Sequence, residues 1–495
     1  MTRAPELVLL SARLRDARFE ALPLHVRVHR LLRELILDGT LASGDKLPAS
    51  RALAGSLELS RDTIENAYSQ LEVEGFLERR AGSGSYISAR AESVRSEPRT
   101  RPTSLRAARL SGGLTISERG RNAFRTGGVH DQIELQAFAA GIPETRGFPL
   151  TSWERMHRQV LREYGTSALL HGDPRGAPEL REAIASYLNQ ERGAHANPDY
   201  VMVLTSSQQA LGLCAHVLAD HGDNIFIEDP AYHGARRAFE SSGLRTIPIA
   251  VDAEGMQVGH LSNHSSDARI VYLTPSHQYP TGATLSLDRR LAAIAWAERV
   301  NGWILEDDYD SEFHYSSRPV ACMQGLDSNN RTIYIGTFSK SLFPSIRIGY
   351  MVLPAELVEP MVVARTLLDG HTNRIMQLTL ARFIDAGHFG AHVKTMRRVY
   401  RGRLEALQEG LKKNLAGMVH MYVPNGGLQM PCLLDEDVDE SSTIGRAARA
   451  GIDLPGLSRL YHTPPPRGGW LMGFAAFTPD EIKTASQRLA KALVN

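Results

Sequence analysis

With 495 residues the chain is too long for one ordinary domain, and at least two hydrophobic cores are expected. Its 42% hydrophobic and 22% charged residues are those of a soluble globular protein, and no apolar run approaches the ~18 residues a membrane span needs. Cys214, Cys322 and Cys432 are too widely spaced for a disulfide framework or a cysteine metal site, and no secretory signal is visible. A reducing cytoplasm is therefore expected, with no metal and no membrane partner. The net charge of +1 hides an uneven distribution: residues 1–89 carry twelve cationic and twelve anionic side chains, whereas residues 90–128 carry nine Arg against three Glu.

In chain order, residues 1–89 read as helix, helix, turn, helix and hairpin. Leu24, Val28, Leu31, Leu32, Leu35 and Ile36 recur at helical spacing, and Gly39 supplies a stop. Pro48 and Ser50 open a short helix over 51–57. Ser60 is the expected N-cap of a third helix over 61–74, closed by Gly75. Two β-like runs around Ala81-Gly82-Ser83-Gly84 then make a wing. In such a unit the second helix of the helix-turn-helix enters the major groove of duplex DNA. The expected DNA contacts are Ser60, Arg61, Asp62, Thr63 and Asn66, where arginine suits guanine and asparagine suits adenine. Arg51 before the turn, and Arg80, Ser83 and Gly84 in the wing, are placed to grip phosphate or the minor groove. A protein-contact role is the other reading of this charge-balanced unit.

Residues 90–128 have the Arg, Ser, Pro, Gly and Thr composition of a flexible basic linker, either a solvated spacer or a phosphate contact. Residues 129–495 alternate apolar β runs with helical stretches, the pattern of an α/β domain with a mainly parallel sheet. Candidate strands are 201–204, 224–228, 270–274, 303–306, 332–335 and 347–353, with helices at 208–221 and 287–300.

The chemistry gathers at the ends of those strands. Gly336-Thr337-Phe338-Ser339-Lys340-Ser341 leads to Arg347, so a lysine follows a buried strand beside a hydroxyl and seven residues before an arginine. That set suits an aldehyde cofactor bearing a phosphate: Lys340 would form the imine, and Ser339 and Arg347 would hold the phosphate. Asp307 in Glu306-Asp307-Asp308-Tyr309 can hold a protonated ring nitrogen, as pyridoxal 5'-phosphate (PLP) requires, and Tyr309 can bond its phenolic oxygen. Tyr232 offers a ring to stack on the pyridine. His277 and Gln278 add polar groups near the phenolic oxygen. Ser206 and Ser207 open a helix whose amides can cradle phosphate. A surface lysine, surface acidic turns and a core tyrosine are the separate readings of these residues. Their recurrence at the carboxyl ends of successive β runs, where open α/β sheets bind ligands, favours the joint one.

Two resemblances follow from these motifs. GDKLPASR, LSRDT and the run LEVEGFLERRAGSG resemble the winged helix-turn-helix of the GntR superfamily, with Glu65 where relatives often place arginine. TPSHQYPTG, EDDYDSEFHY and TFSKSLFPSIRIGY resemble a fold-type I aminotransferase domain, in the form found in the MocR subfamily of regulators. The resemblance implies an α+β winged helix-turn-helix followed by an α/β aminotransferase-like domain. It implies Lys340 as the Schiff-base lysine, Asp307 and Tyr309 as ring contacts and Tyr232 as the stacking residue. It further implies a head-to-tail, domain-swapped homodimer on operator DNA. The function implied is PLP-dependent transcription regulation, with an amino compound or PLP itself as effector. An active aminotransferase with an autoregulatory DNA-binding domain is the alternative. Two positions depart from the aminotransferase pattern. Tyr279 replaces the usual Asn before Pro-Thr-Gly, leaving His277 or Gln278 to take over its bond. Leu471 replaces the arginine that grips a substrate carboxylate, leaving Arg459 or Arg467 as candidate effector contacts. At most a half-reaction, amine exchange at Lys340, is therefore expected.

Overall fold

The computed structural model describes residues 13–14, 20–90, 116–129, 135–264, 267–315, 320–465 and 467–494. It divides into two compact units, residues 1–115 and 116–495. Among the described residues no helix is long and apolar enough to cross a membrane.

The first unit contains α1 (Leu24–Leu37), α2 (Ser50–Leu57), α3 (Arg61–Val73) and the antiparallel hairpin β1 (Leu77–Arg80) and β2 (Gly84–Ile87). The apolar spacing of α1 buries Val28, Leu31, Leu32, Leu35 and Ile36 against Ile64, Ala67, Tyr68 and Leu71 of α3. The turn between α2 and α3 is made by Glu58 in the left-handed region (φ 56°). Ser60 then caps α3, its hydroxyl accepting from the Thr63 amide at 3.1 Å. Tyr68 is buried and donates to the Pro48 carbonyl at 2.8 Å, fastening α3 to the segment before α2. The wing is widened by a bridge from Lys46 to Tyr86.

The second unit is built on an eight-stranded sheet. Its strands are β3 (Val201–Leu204), β4 (Asn224–Asp229), β5 (Arg245–Asp252), β6 (Gly255–Met256), β7 (Ile270–Leu273), β8 (Trp303–Asp308), β9 (Thr332–Thr337) and β10 (Gly349–Val352), in the order β3-β10-β9-β8-β7-β4-β5-β6. β10 is antiparallel to both neighbours and β6 to β5, and the other pairings are parallel. β7 and β9 within the sheet, and β3 at its edge, are buried on both faces, which is why they read as continuous apolar runs. Helices Ser207–Leu218, His233–Ser241 and Ala355–Thr366 cover one face; Pro178–Glu191, Leu287–Arg299 and Arg374–Asp385 cover the other. A smaller antiparallel sheet, β11 (Val419–Met421), β12 (Gln429–Leu434) and β13 (Gly469–Gly473), packs one face on helices His388–Asn414 and Pro479–Val494.

Inside the stretch read as linker, Glu118–Thr126 forms a helix capped by Ser117 and lying beside helix His233–Ser241. Its mean hydropathy is low and it buries no residue, so composition gave no sign of it. Residues 91–115 lie outside the described residues.

Ile64 is fully buried at the centre of the first unit, so Ile64→Ala should destabilise that unit by about 2–5 kcal/mol. Urea denaturation followed by helical circular dichroism measures this; a loss under 1 kcal/mol would contradict the packing described.

Candidate cofactor site and DNA-reading surface

Parallel β3, β9, β8, β7 and β4 end along one edge of the sheet, so the turns after them converge. Lys340 lies on the single turn Phe338–Ser341 that follows β9 directly. Its Nζ donates to the Gly141 carbonyl at 2.7 Å. Gly141 has φ +71°, and a Cβ there would stand 3.1 Å from that Nζ, so glycine lets the chain pass this close to the amine.

Asp307 is buried near the end of β8, where its Oδ2 accepts from the Tyr272 hydroxyl at 2.8 Å. Tyr272 pairs with Leu305, two residues before Asp307 and on the same face, which brings the two side chains together. Asp307 Oδ1 has no hydrogen-bond partner among the described residues. Burial pushes the Asp307 carboxyl up to about 7, with Asp308 and Asp310 adding to it against the opposing pull of Tyr272 and Lys340. Such a half-satisfied carboxylate calls for a cationic or N–H partner in front of it. Its neighbour Asp308 is held by a buried Arg192 (2.8 Å) and by the Tyr334 hydroxyl (2.6 Å), which anchors the strand end.

Tyr309 donates to or accepts from His277 Nδ1 at 3.1 Å, and the same nitrogen faces Asp310 at 3.0 Å. Burial lowers the basicity of His277, but Asp310 and Asp308 outweigh it and raise its pKa overall. Tyr232 sits half-buried against Tyr279, ring centroids 5.5 Å apart, with the Gln208 amide 3.4 Å from its hydroxyl. At the β3 end, Ser206 caps helix Ser207–Leu218, and its hydroxyl accepts from the Gln209 amide at 3.3 Å. A Cβ on Gly349 would stand 3.0 Å from the Ser206 carbonyl carbon, so glycine allows β10 to close on this turn. Arg347, exposed and in the left-handed region (φ 50°), makes no hydrogen bond or ion pair among the described residues. Ser339 is half-buried, its amide bonded to Thr337 Oγ1 at 3.2 Å.

Two expected contacts, Gln278 and Arg467, are engaged elsewhere. Gln278 donates to the Pro230 and Tyr279 carbonyls at 2.8 and 2.7 Å and accepts from the Thr281 amide and hydroxyl. Its amide holds loops together and is not free for a phenolic oxygen, so of the two alternatives His277, behind Tyr309, is the one at hand. Arg467 is exposed and ion-paired with Glu436. Arg459 is also exposed, but its charge acts on Tyr279 and His233. Sequence reasoning missed Tyr272, Asp310, Gly141 and Gln429. Only the Asp307-x-x-Asp310 spacing was visible in advance; the others reach the site through long-range pairing.

On the first unit, Arg51, Arg61, Asp62, Asn66, Arg80, Ser83 and Gly84 are exposed. Arg61 and Asn66 make no side-chain hydrogen bond or ion pair among the described residues, whereas the Ser60 and Thr63 hydroxyls bond each other at 2.7 Å and serve the cap. Asp62 lies in the first turn of α3, where it complements the helix dipole. Arg80 stacks over Tyr86 at 4.6 Å, and Lys46 approaches the same ring at 5.7 Å. Glu65 bonds Arg79 at 3.1 Å, and Arg79 also reaches Glu72 at 2.9 Å and Ser69 at 3.0 Å. The Ser50 hydroxyl, with help from Arg79 and Arg61, holds the Glu65 carboxyl below its usual range against the opposing effect of burial.

A doubly covered sheet with lysine, buried aspartate and a helix N-terminus at its carboxyl edge defines the fold-type I aminotransferase class, here joined to a winged helix-turn-helix. Residues 137–442 match the family "Aminotransferase class I and II", and residues 24–87 match "Bacterial regulatory proteins, gntR family". The chain is 33% identical over 479 residues to the probable rhizopine catabolism regulatory protein MocR of Rhizobium meliloti, covering 95% of this chain and 94% of that protein. It is 30% identical to the HTH-type transcriptional regulator TauR of Rhodobacter capsulatus, covering 94% and 96%. The second unit is similar to kynurenine aminotransferase of Pyrococcus horikoshii (TM-score 0.68, 28% identity, 79% of this chain and 96% of that one). The chain belongs to the MocR subfamily of GntR-type regulators, and its fold is that of PLP-dependent aminotransferases.

The residues present fit PLP. Asp307 Oδ1 is a buried acceptor in want of a donor, Lys340 supplies the amine, and Ser206, Ser207, Ser339 and Arg347 lie on the turns around the helix N-terminus. Asp307→Ala should weaken PLP binding by about 3–5 kcal/mol, the usual effect of removing one partner of a buried charge pair. Absorbance titration with PLP measures it; affinity within threefold of wild type would remove Asp307 from the site.

Proposed function

We propose that this transcription regulator carries PLP at Lys340 and that a primary amine, or PLP itself, entering this site changes the affinity of the winged helix-turn-helix for its operator. The observation that carries this reading is that Lys340, which acts on the buried Asp307 carboxyl, ends the strand next to β8 on the sheet edge that also bears the Ser206 turn, in a chain whose other unit matches a DNA-binding family. PLP supplies an aldehyde that links reversibly to primary amines. Lys340 orients that carbon, Asp307 holds the ring nitrogen protonated, Tyr309 with His277 binds the phenolic oxygen, and Tyr232 stacks. Ser206, Ser207, Ser339 and Arg347 bind the phosphate. Of the two candidate effector contacts, Arg467 is paired with Glu436, which leaves Arg459, exposed beside Tyr279, to meet polar groups of an effector.

The reading extends to DNA, assembly and turnover. Arg61 and Asn66 read base edges, while Arg51, Arg80, Ser83 and Gly84 hold phosphate or the minor groove. The working form is a cytoplasmic head-to-tail homodimer. Exposed Leu161, Leu169, Leu170, Leu367 and Leu368 on the second unit support self-association. Full transamination is disfavoured because Leu471, where a carboxylate-gripping arginine is expected, is buried among apolar side chains.

Two outcomes test this reading. Arg61→Ala should weaken specific operator binding by about 1–3 kcal/mol at matched salt, and unchanged affinity would refute the base-reading role. Lys340→Ala should fold and bind operator but lose the response to an effector amine; an equal response in both proteins would show that the signal bypasses Lys340.

A further inference from the structure

The wall beside Lys340 is one face of the smaller sheet. Gln429 pairs with Gly473 and Pro431 with Leu471, so these four residues share the face opposite the Met430–Met472 core. A Cβ on Gly473 would collide with the Ala139 carbonyl at 1.8 Å, so the segment leading to Gly141 lies directly on this face. The same point beside Gly141 that is 3.1 Å from Lys340 Nζ is 3.4 Å from Gln429 Oε1. Gln429 and Lys340 therefore flank one space.

The polarity of that space is specific. Leu471 clusters with Leu457 and Leu460, and Ala140, Tyr279 and Leu433 pack against them, all uncharged. Gln429 is 4% exposed, its side chain lies beside Tyr279, and its Oε1 has no hydrogen-bond partner among the described residues. A carboxylate entering here would lose its hydration to an apolar wall and meet the electron-rich Oε1. Arg459, which acts on Tyr279, is exposed, so its pull reaches this wall from the solvent side, where water and salt weaken it. A hydroxyl would instead donate to Oε1 and satisfy it.

Resting on the reading that PLP and an amine meet at Lys340, we propose that this site selects primary amines bearing a hydroxyl, not a carboxylate, next to the amine-bearing carbon. Gln429 reads the hydroxyl and Leu471 rejects the carboxylate. The class is that of vicinal amino alcohols.

The test compares L-alaninol, L-alanine and 2-aminobutane, which share one skeleton and differ in hydroxymethyl, carboxylate or ethyl. Each is titrated into full-length, PLP-loaded protein, reading cofactor absorbance and operator affinity. Alaninol should act at concentrations at least about 10-fold lower than either competitor. Gln429→Leu should erase its advantage over 2-aminobutane, and Leu471→Arg should shift preference toward alanine. Gln429→Leu is nearly isosteric and decides the matter if Leu471→Arg fails to fold. Alanine equal to or better than alaninol in wild type, or no response to alaninol, overturns the proposal while the PLP band still supports the cofactor reading. Failure of the protein to acquire that band overturns the cofactor reading itself.

Discussion

Asp307 is a carboxylate taken out of water with only half of its hydrogen bonding supplied. Tyr272 satisfies one oxygen, the other faces no donor, and burial pushes the group up to about 7. The protein tolerates this cost because β8 lies at the centre of the sheet, paired on both sides, and because the Arg192–Asp308 ion pair holds the strand end in register. A protonated ring nitrogen placed against Oδ1 would convert the cost into binding energy. Lys340, one strand away at the end of β9, then lies within reach of the same ligand. The rest of the site is arranged around that pair: a helix N-terminus for an anion on the β3 side, and Tyr309 with His277 and Asp310 on the β7 and β8 side.

The DNA-reading surface depends on a different economy of charge. Its twelve cationic and twelve anionic side chains cancel, so attraction to DNA depends on which cations are left unpaired. Arg79 is spent on Glu65, Glu72 and Ser69, bracing the recognition helix against the wing. Arg61 at the head of that helix is not spent in this way. Glu65 is thereby explained as a brace: the position where relatives often carry arginine here ties the helix to the wing through Arg79.

What could be read from the chain alone followed the range of the interactions. The three helices and the wing are set by local spacing, a serine cap and glycine turns, and their ends were legible to within a residue or two. The central strands were legible because burial on both faces makes them uniformly apolar. β5 and β11, with mixed burial, and the two-residue β6 carry no such signature and were not; β12 and β13 are buried, but Pro431 and the glycines at both ends of β13 break up their apolar runs. Lys340 and Asp307 stood out because strand ends are where ligands bind. Gln278 misled because its polar amide serves two loop carbonyls, a use visible only after folding. Gln429 and Gly141 gave no warning, because nearly three hundred residues separate two groups that flank one amine.

The central claim is that the amine of Lys340 is the group that holds PLP. Sodium borohydride reduction of the PLP-saturated protein, followed by proteolysis and mass mapping, tests it most directly. A stoichiometric pyridoxyl group on Lys340 is the predicted result; the label on another lysine, or no label at all, would contradict it.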